Sequence, residues 1–282
     1  MAAVVLVALC VTALCYAIAT NPLLQWGTVW RYMFSPIIVS GLLTTLALTV
    51  IVMLLAVFMG TVAALMMLSP SKLLAAPAVA FVWFFRGAPA LVQIILWYNL
   101  ALIFPRLGIW LPMLGEVVSV PTNEVMTPFV AAVVALSLHE AGYMAEIVRG
   151  GLKTVSKGQT EAALSLGMHP SSLIFRIILP QAMRMIIPPT GNETINLLKT
   201  TSLVSIIAVA DLLYSAQAIY ARTFETIPLL LVVTAWYLAV VSVMTVGQFY
   251  LERFFSREEG KPAGGVRQKV FGMLIPMRRR FQ

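Results

Sequence analysis

Residues 37–68, IIVSGLLTTLALTVIVMLLAVFMGTVAALMML, contain no ionisable side chain. About 20 mainly apolar residues suffice for a helix to cross a bilayer, so this run is longer than one span requires. The surplus leaves room for tilt or for an extension beyond the membrane. Comparable runs recur at about 2–20, 88–104, 128–148, 194–214 and 227–250, which predicts an all-α integral membrane protein of about six transmembrane helices.

Composition agrees. With 60% hydrophobic and 11% charged residues, a 282-residue chain carries more apolar surface than a soluble core of that size hides. The net charge of +8 does not point to nucleic acid, because Lys and Arg collect in a few segments between and after the apolar runs. Cys10 and Cys15 both lie in the first run and offer no disulfide framework or metal-ligand spacing.

The first run ends in Ala17-Ile18-Ala19, which loosely imitates a signal-peptide cleavage site, but it lacks a positive start and reads as a retained helix. Between runs two and three, Pro70 and Pro77 break helix periodicity and Lys72 and Arg86 mark polar surroundings. That predicts a short interfacial helix, with the third span starting near Pro89. Positive charge sets the orientation. Lys72, Arg86, Arg149, Lys153, Lys157, Arg176, Arg184 and a basic tail fall on one set of connections; Arg31, Arg106 and Arg222 fall on the other. The positive-inside rule therefore places both termini and the 149–190 segment in the cytoplasm. The 105–127 loop, with Glu116, Glu124, Pro105, Pro112 and Pro121, is too polar and interrupted to insert and reads as a connection. The tail VRQKVFGMLIPMRRRFQ suits either an anchor on anionic lipid or a disordered end.

The stretch GQTEAALSLGMHPSSLIFRIILPQ, from Gly158 to Gln181, is neither a span nor an ordinary linker. Ala162, Ala163 and Leu166 share one face of a short helix that Ser156 and Gln159 can cap and that Gly167 and Pro170 end. A second short helix, capped by Ser171 or Ser172, carries Leu173, Ile174, Ile177 and Ile178 until Pro180 interrupts. Helices of about 10 residues reach only about 15 Å, so this pair is expected to lie flat or protrude. One surface for it is the protein's own helix ends. The other is a partner, for which Glu161 beside two small alanines is well made.

Glu161-Ala162-Ala163, then Gly167, then Ile178-Leu179-Pro180, resembles the EAA motif of membrane subunits of bacterial ATP-binding-cassette importers. Phe85-Arg86-Gly87-Ala88-Pro89 with Gln93, Tyr143 to Gly151, Gly158-Gln159, Pro180-Gln181-Ala182, Gly191-Asn192 and Lys199 to Leu203 resemble its polar amino-acid branch. Departures are Ala88, where that branch usually has Thr, and Thr200, where it often has Asp. The resemblance implies a type I importer fold with a five-helix core and a cytoplasmic coupling helix. It implies a permease domain at 37–251 with its EAA loop at about 150–190, which leaves an extra helix and outer loop at 1–36 that the family core does not account for and a basic tail at 252–282. Gly158, Glu161, Ala162, Ala163, Gly167, Leu179 and Pro180 would meet the ATPase. Implied partners are an ATPase dimer carrying ATP-Mg, a second permease copy or paralogue, an extracytoplasmic amino-acid-binding protein and membrane lipid. The expected site is the bacterial inner membrane, with no cofactor on this chain. The chain also has no G-x-x-x-x-G-K-[ST] loop, since Gly260-Lys261 is followed by Pro262, so its energy must come from elsewhere.

An ionisable group at a span centre costs about 2.5–3.5 kcal/mol, so each one asks for a reason. Glu140, Tyr143 and Glu146 follow one stripe of span four beside His139; Glu146 also has Arg149 at i+3. Asn192, Glu193, Lys199, Thr201 and Asp211 lie on or near span five, where roughly 18 Å separates Lys199 from Asp211. With Gln93, the residues Glu140, Tyr143, Glu146, Asn192, Lys199, Thr201 and Asp211 are the candidate substrate pathway. Pro188-Pro189 and Gly191 predict a helix break just before span five. An ion-coupled secondary transporter is the alternative reading, but no second copy of the 140–200 pattern appears, as inverted repeats would require. A membrane enzyme lacks its nucleophile or metal set: His139 and His169 are the only histidines.

Overall fold

The structure, a computed structural model, describes residues 2–111 and 115–256. The basic tail beyond them and Pro112 lie outside the described residues. The N-terminal run forms α1 (Ala2–Thr20), followed by a 3₁₀ turn and α2 (Trp26–Met33). The charge-free run becomes α3 (Pro36–Leu68), one helix started by Pro36 at its first position. Next come α4 (Lys72–Gly87), α5 (Ala90–Tyr98), an antiparallel hairpin β1 (Arg106–Leu111) and β2 (Gly115–Pro121), and the short α6 (Thr122–Val125). Then follow α7 (Pro128–Lys153), α8 (Lys157–Ser165), α9 (Pro170–Leu173), α10 (Leu179–Thr200), α11 (Leu212–Thr223) and α12 (Thr226–Ser256). Three helices, α3, α7 and Thr226–Phe255 of α12, are long and apolar enough to cross a membrane, and up to six spans result if each bent helix pair counts as one.

The third span differs from expectation. Pro77 sits inside α4 instead of ending it: one missing donor costs one ladder bond, while Ala78 and Val82 on the same helix are buried. Val82 packs with Ala63 of α3 and Ala145 of α7. The expected span near 88–104 is no single helix, since α5 has nine residues and meets α4 at a bend of 103°. The 105–127 connection also has structure of its own. Arg106 clasps Ser119 across the hairpin, through Nε to Oγ at 2.6 Å, and the base is closed by Thr122 N–H donating to Pro105 O at 3.0 Å.

The segment after α7 differs most. Its first helix is α8, with Ser156 at the N-cap position but making no side-chain cap bond. The second helix is not short. His169, not Ser171 or Ser172, caps it, accepting from Ser171 N–H, and a π turn (Ile174–Ile178) then runs straight into α10. Pro180 does not interrupt. It has no N–H for the turn before it, and that turn is already widened, with Leu179 N–H donating to Ile174 O. Likewise Pro188 and Pro189 lie inside α10, not ahead of it. The real break in the span predicted at 194–214 comes later, after a 3₁₀ stretch (Thr201–Ile207), where Ala208 turns left-handed at φ 60°. Beyond it α11 sets off at 44°.

Two compact units divide the chain: residues 1–149 with 193–242, and residues from 150 to 192 with those from 243 onward. In the first, Ile38 and Leu42 of α3 meet Leu212 and Ala216 of α11 and Leu229 and Val232 of α12. Two glycines let α3 approach its neighbours. A Cβ at Gly41 would strike Ser215 and the Asp211 carbonyl; one at Gly60 would come within 2.9 Å of both Ala141 O and Ala145 N. Backbone cannot yield there as a side-chain tip can. Gly60→Leu is therefore expected to cost about 1–3 kcal/mol of stability through overpacking, read as a lower melting temperature of the purified protein in detergent.

Candidate functional site

Two groups of residues carry the chemistry. The first is α8 with its closing turn, in the second compact unit. Gly158, Glu161 and Ala162 are exposed, whereas Ala163 is buried. The helix ends in a Schellman motif: Met168 N–H donates to Ala163 O at 3.1 Å and Gly167 N–H to Leu164 O at 2.9 Å. Gly167 makes this possible at φ +74°, where a Cβ is unfavourable. The turn leaves Leu164 and Leu166 facing out, Leu166 at 87% exposure. Glu161 thus stands on a helix with an exposed apolar rim and a fixed end. Leu179 and Pro180 are exposed too, further along the continuous helix that starts at Pro170.

The second group gathers in the first unit around α7. Gln93, buried on α5, reaches back to the α4–α5 bend: Nε2 lies 3.0 Å from Phe85 O, 2.9 Å from Ala88 O and 3.1 Å from His139 Nδ1. Two carbonyls released by the bend are satisfied by one amide. Its Oε1, however, is buried with no hydrogen-bond partner among the described residues, and so are Glu140 Oε2 and Ser137 Oγ one turn apart on α7. Buried acceptors are normally paired, so this clustering marks the site. Glu193 adds like charge near Glu140.

Lower on the same stripe of α7, Arg86 lies over the Tyr143 ring at 5.2 Å and 3.9 Å from Glu146. Glu146 also pairs with Arg149, as the i+3 spacing predicts. Gly142 admits Arg86, whose Cγ would be 2.8 Å from an added Cβ. Arg86, Tyr143 and Glu146 border a 390 Å³ cavity with Trp83 and Gly87. Arg86 was legible as a polar mark beside a bend but not as a partner of Tyr143, because α4 and α7 are far apart in sequence.

The remaining pathway residues are placed differently. Asn192 and Lys199 are exposed; Lys199 lines a separate cavity with Asn196, Thr200 and Ser202. Thr201 is buried and donates to Leu198 O at 2.7 Å, a helix-backbone bond. Asp211 is fully buried as the N-cap of α11, with Oδ1 accepting from Tyr214 N–H at 2.8 Å and Oδ2 without a hydrogen-bond partner among the described residues. Among the described residues, no group of three or more His, Cys, Asp or Glu could hold a metal ion.

Residues 56–257 match the family described as binding-protein-dependent transport system inner membrane component. The chain belongs to that family. The arginine transport system permease protein ArgU of Corynebacterium glutamicum is 42% identical over 238 residues, covering 84% of this chain and 74% of that protein. The L-cystine transport system permease protein TcyB of Bacillus subtilis is 32% identical, covering 87% of this chain and 97% of its own. A crystal structure of an amino acid ABC transporter with histidines aligns at a TM-score of 0.66 and 34% identity, over 78% of this chain and 94% of that one. The fold is therefore that of a type I importer permease, a multi-pass inner-membrane subunit whose ATP hydrolysis belongs to a partner.

For this permease the placement of Asp211 separates two roles. If the carboxylate serves only as a cap, Asp211→Asn keeps the acceptor and holds stability, whereas Asp211→Ala loses about 0.5–2 kcal/mol. Thermal unfolding of the two variants in detergent checks this.

Proposed function

We propose that this permease imports a polar amino acid, with α8 as the docking helix for the ATPase subunit and the α7 cluster on the substrate path. The observation that carries the docking assignment is the exposed Glu161–Ala162 face of a helix whose end Gly167 holds fixed. Ala163, being buried, is small to fit its own chain rather than the partner. The names of the relatives support the substrate class. So do the acceptors Gln93 Oε1 and Glu140 Oε2, which have no partner among the described residues and suit an ammonium or guanidinium group. Tyr143, Glu146, Asn192, Lys199 and Thr201 follow as path residues, and Asp211 as a helix cap beside it.

The basic 149–184 stretch supports a cytoplasmic α8 and cytoplasmic termini. The domain limits 1–36, 37–251 and 252–282 go with this reading, the family match at 56–257 supporting the middle one. Alternating access needs an interface to open, so the permease works beside a second copy or a paralogue. An extracytoplasmic binding protein delivers the solute, and ATP-Mg sits on the ATPase dimer. The ion-coupled alternative is disfavoured by the family match.

Three measurements test this. Uptake of L-arginine, L-cystine and L-glutamate by cells expressing the importer should show transport of at least one; transport of none removes the substrate class. In a well-expressed Glu161→Lys/Gly167→Asp variant, uptake and ATPase stimulation should both be lost, because charge reversal and a side chain at left-handed backbone spoil the docking face. Retained coupling would show that the ATPase docks elsewhere. Ser165→Cys, in a chain whose Cys10 and Cys15 are changed to Ala, should react with an impermeant maleimide only from the cytoplasmic side.

A further inference from the structure

The last turns of α12 carry one buried residue. From Val243 to Phe255 Gln248 alone is buried, in a helix whose other side chains there are exposed or half-buried. A buried amide in an apolar helix needs partners, and Gln248 has two. Its Nε2 donates to Pro188 O at 2.8 Å and to Glu252 Oε1 at 2.9 Å, one turn away on α12.

The site it grips adjoins the turn of α10 that two prolines weaken. Pro188 and Pro189 give no backbone donors to the turn before them, so that turn has fewer bonds holding its geometry. Three residues on, Gly191 provides the room. A Cβ there would fall on the Gln248 carboxamide, with Cδ at 2.6 Å and Nε2 at 3.0 Å. Gly191 carries no positive φ, so its need for glycine is close approach alone. The contact is thus built from both sides: a missing side chain on α10 and a buried amide on α12.

We propose that Gln248 is a positioning residue for coupling: its amide clamps the Pro188–Gly191 turn, so that displacement entering at α8 is carried into α12 instead of being lost by flexing at the prolines. This rests on α8 being the ATPase docking helix. α8 leads through α9, the π turn and α10 to the proline pair, and the clamp is where a second long helix takes hold of that path. Hydrogen bonds suit the task, since they break and re-form during a transport cycle in a way an interlocked apolar core does not.

The test uses the importer purified with its ATPase subunit and binding protein, reconstituted in proteoliposomes. The readout is uptake per ATP hydrolysed for the amino acid that the wild type transports in the panel above. Gln248→Ala and the similarly sized Gln248→Met should each lower that ratio about five- to ten-fold, the worth of roughly one to two hydrogen bonds, while hydrolysis persists. Gly191→Ala should do the same, because its methyl displaces the flexible amide tip without striking backbone. The double variant Gly191→Ala/Gln248→Ala should be no worse than either single change, since both remove one contact.

A purely structural role would lower the yield of assembled complex and leave the ratio intact. An unchanged ratio in Gln248→Met, or defects that multiply in the double variant, overturns the proposal. If Glu161→Lys/Gly167→Asp retains coupling while Gln248→Ala loses it, the docking reading fails and the clamp stands as a hinge support. If wild-type protein transports nothing, the function itself fails.

Discussion

A helix that stops or bends inside a bilayer exposes carbonyls and amides where water is not at hand to bond them. That constraint governs this permease, which bends or weakens its helices at several points. At three such places a polar side chain, mostly from another helix, bonds the backbone. Gln93 of α5 serves Phe85 O and Ala88 O at the 103° bend. At the break before α11, Asp211 caps Tyr214 N–H, and Thr45 of α3 accepts from Leu212 N–H at 3.0 Å. Gln248 of α12 donates to Pro188 O, next to the turn of α10 that the proline pair weakens. The polar residues of this apolar chain are therefore largely the fittings of its bends.

That account decides how the candidate pathway divides. Thr201 donates to helix backbone and Asp211 spends Oδ1 on the α11 cap, so each has a structural task, although Asp211 Oδ2 is buried with no hydrogen-bond partner among the described residues. Glu140 is different. It sits within an unbroken helix that needs no cap, it is buried, and Oε2 has no hydrogen-bond partner among the described residues. A buried acid with no structural task is expensive to keep, so the functional reading is strongest there. Gln93 holds both positions: its amide nitrogen maintains the bend while its oxygen is unspent.

Much of this was legible in the sequence. Apolar runs located most helices, and Gly167 with the EAA triplet located α8 and its end, since left-handed turns and cap spacing are local properties. Proline misled the reading at 77, 180 and 188–189, and in each case for the same reason. Local rules treat proline as a stop, but a missing donor costs only one bond when packing or a wider turn compensates, as Ala78 and Val82 do in α4 and the π turn does before Pro180. The true break, at Ala208, carries no glycine or proline signal. It is set by tertiary contact: Gly41 of α3 lies against the Asp211 carbonyl and Ser215 just beyond it.

The same distinction bears on how a motorless membrane protein moves. A bend fixed by local sequence is rigid, because its cause travels with it. A bend held by an amide from a distant helix can be released and remade, and its state depends on where that helix is. Gln93 holds a bend of the second kind and Gln248 bonds a turn beside two prolines, and each also touches a residue of wider consequence: His139 beside Glu140 in one case, Glu252 at the end of α12 in the other. A permease held this way links backbone shape to the placement of its acids without any charged group having to cross the apolar layer.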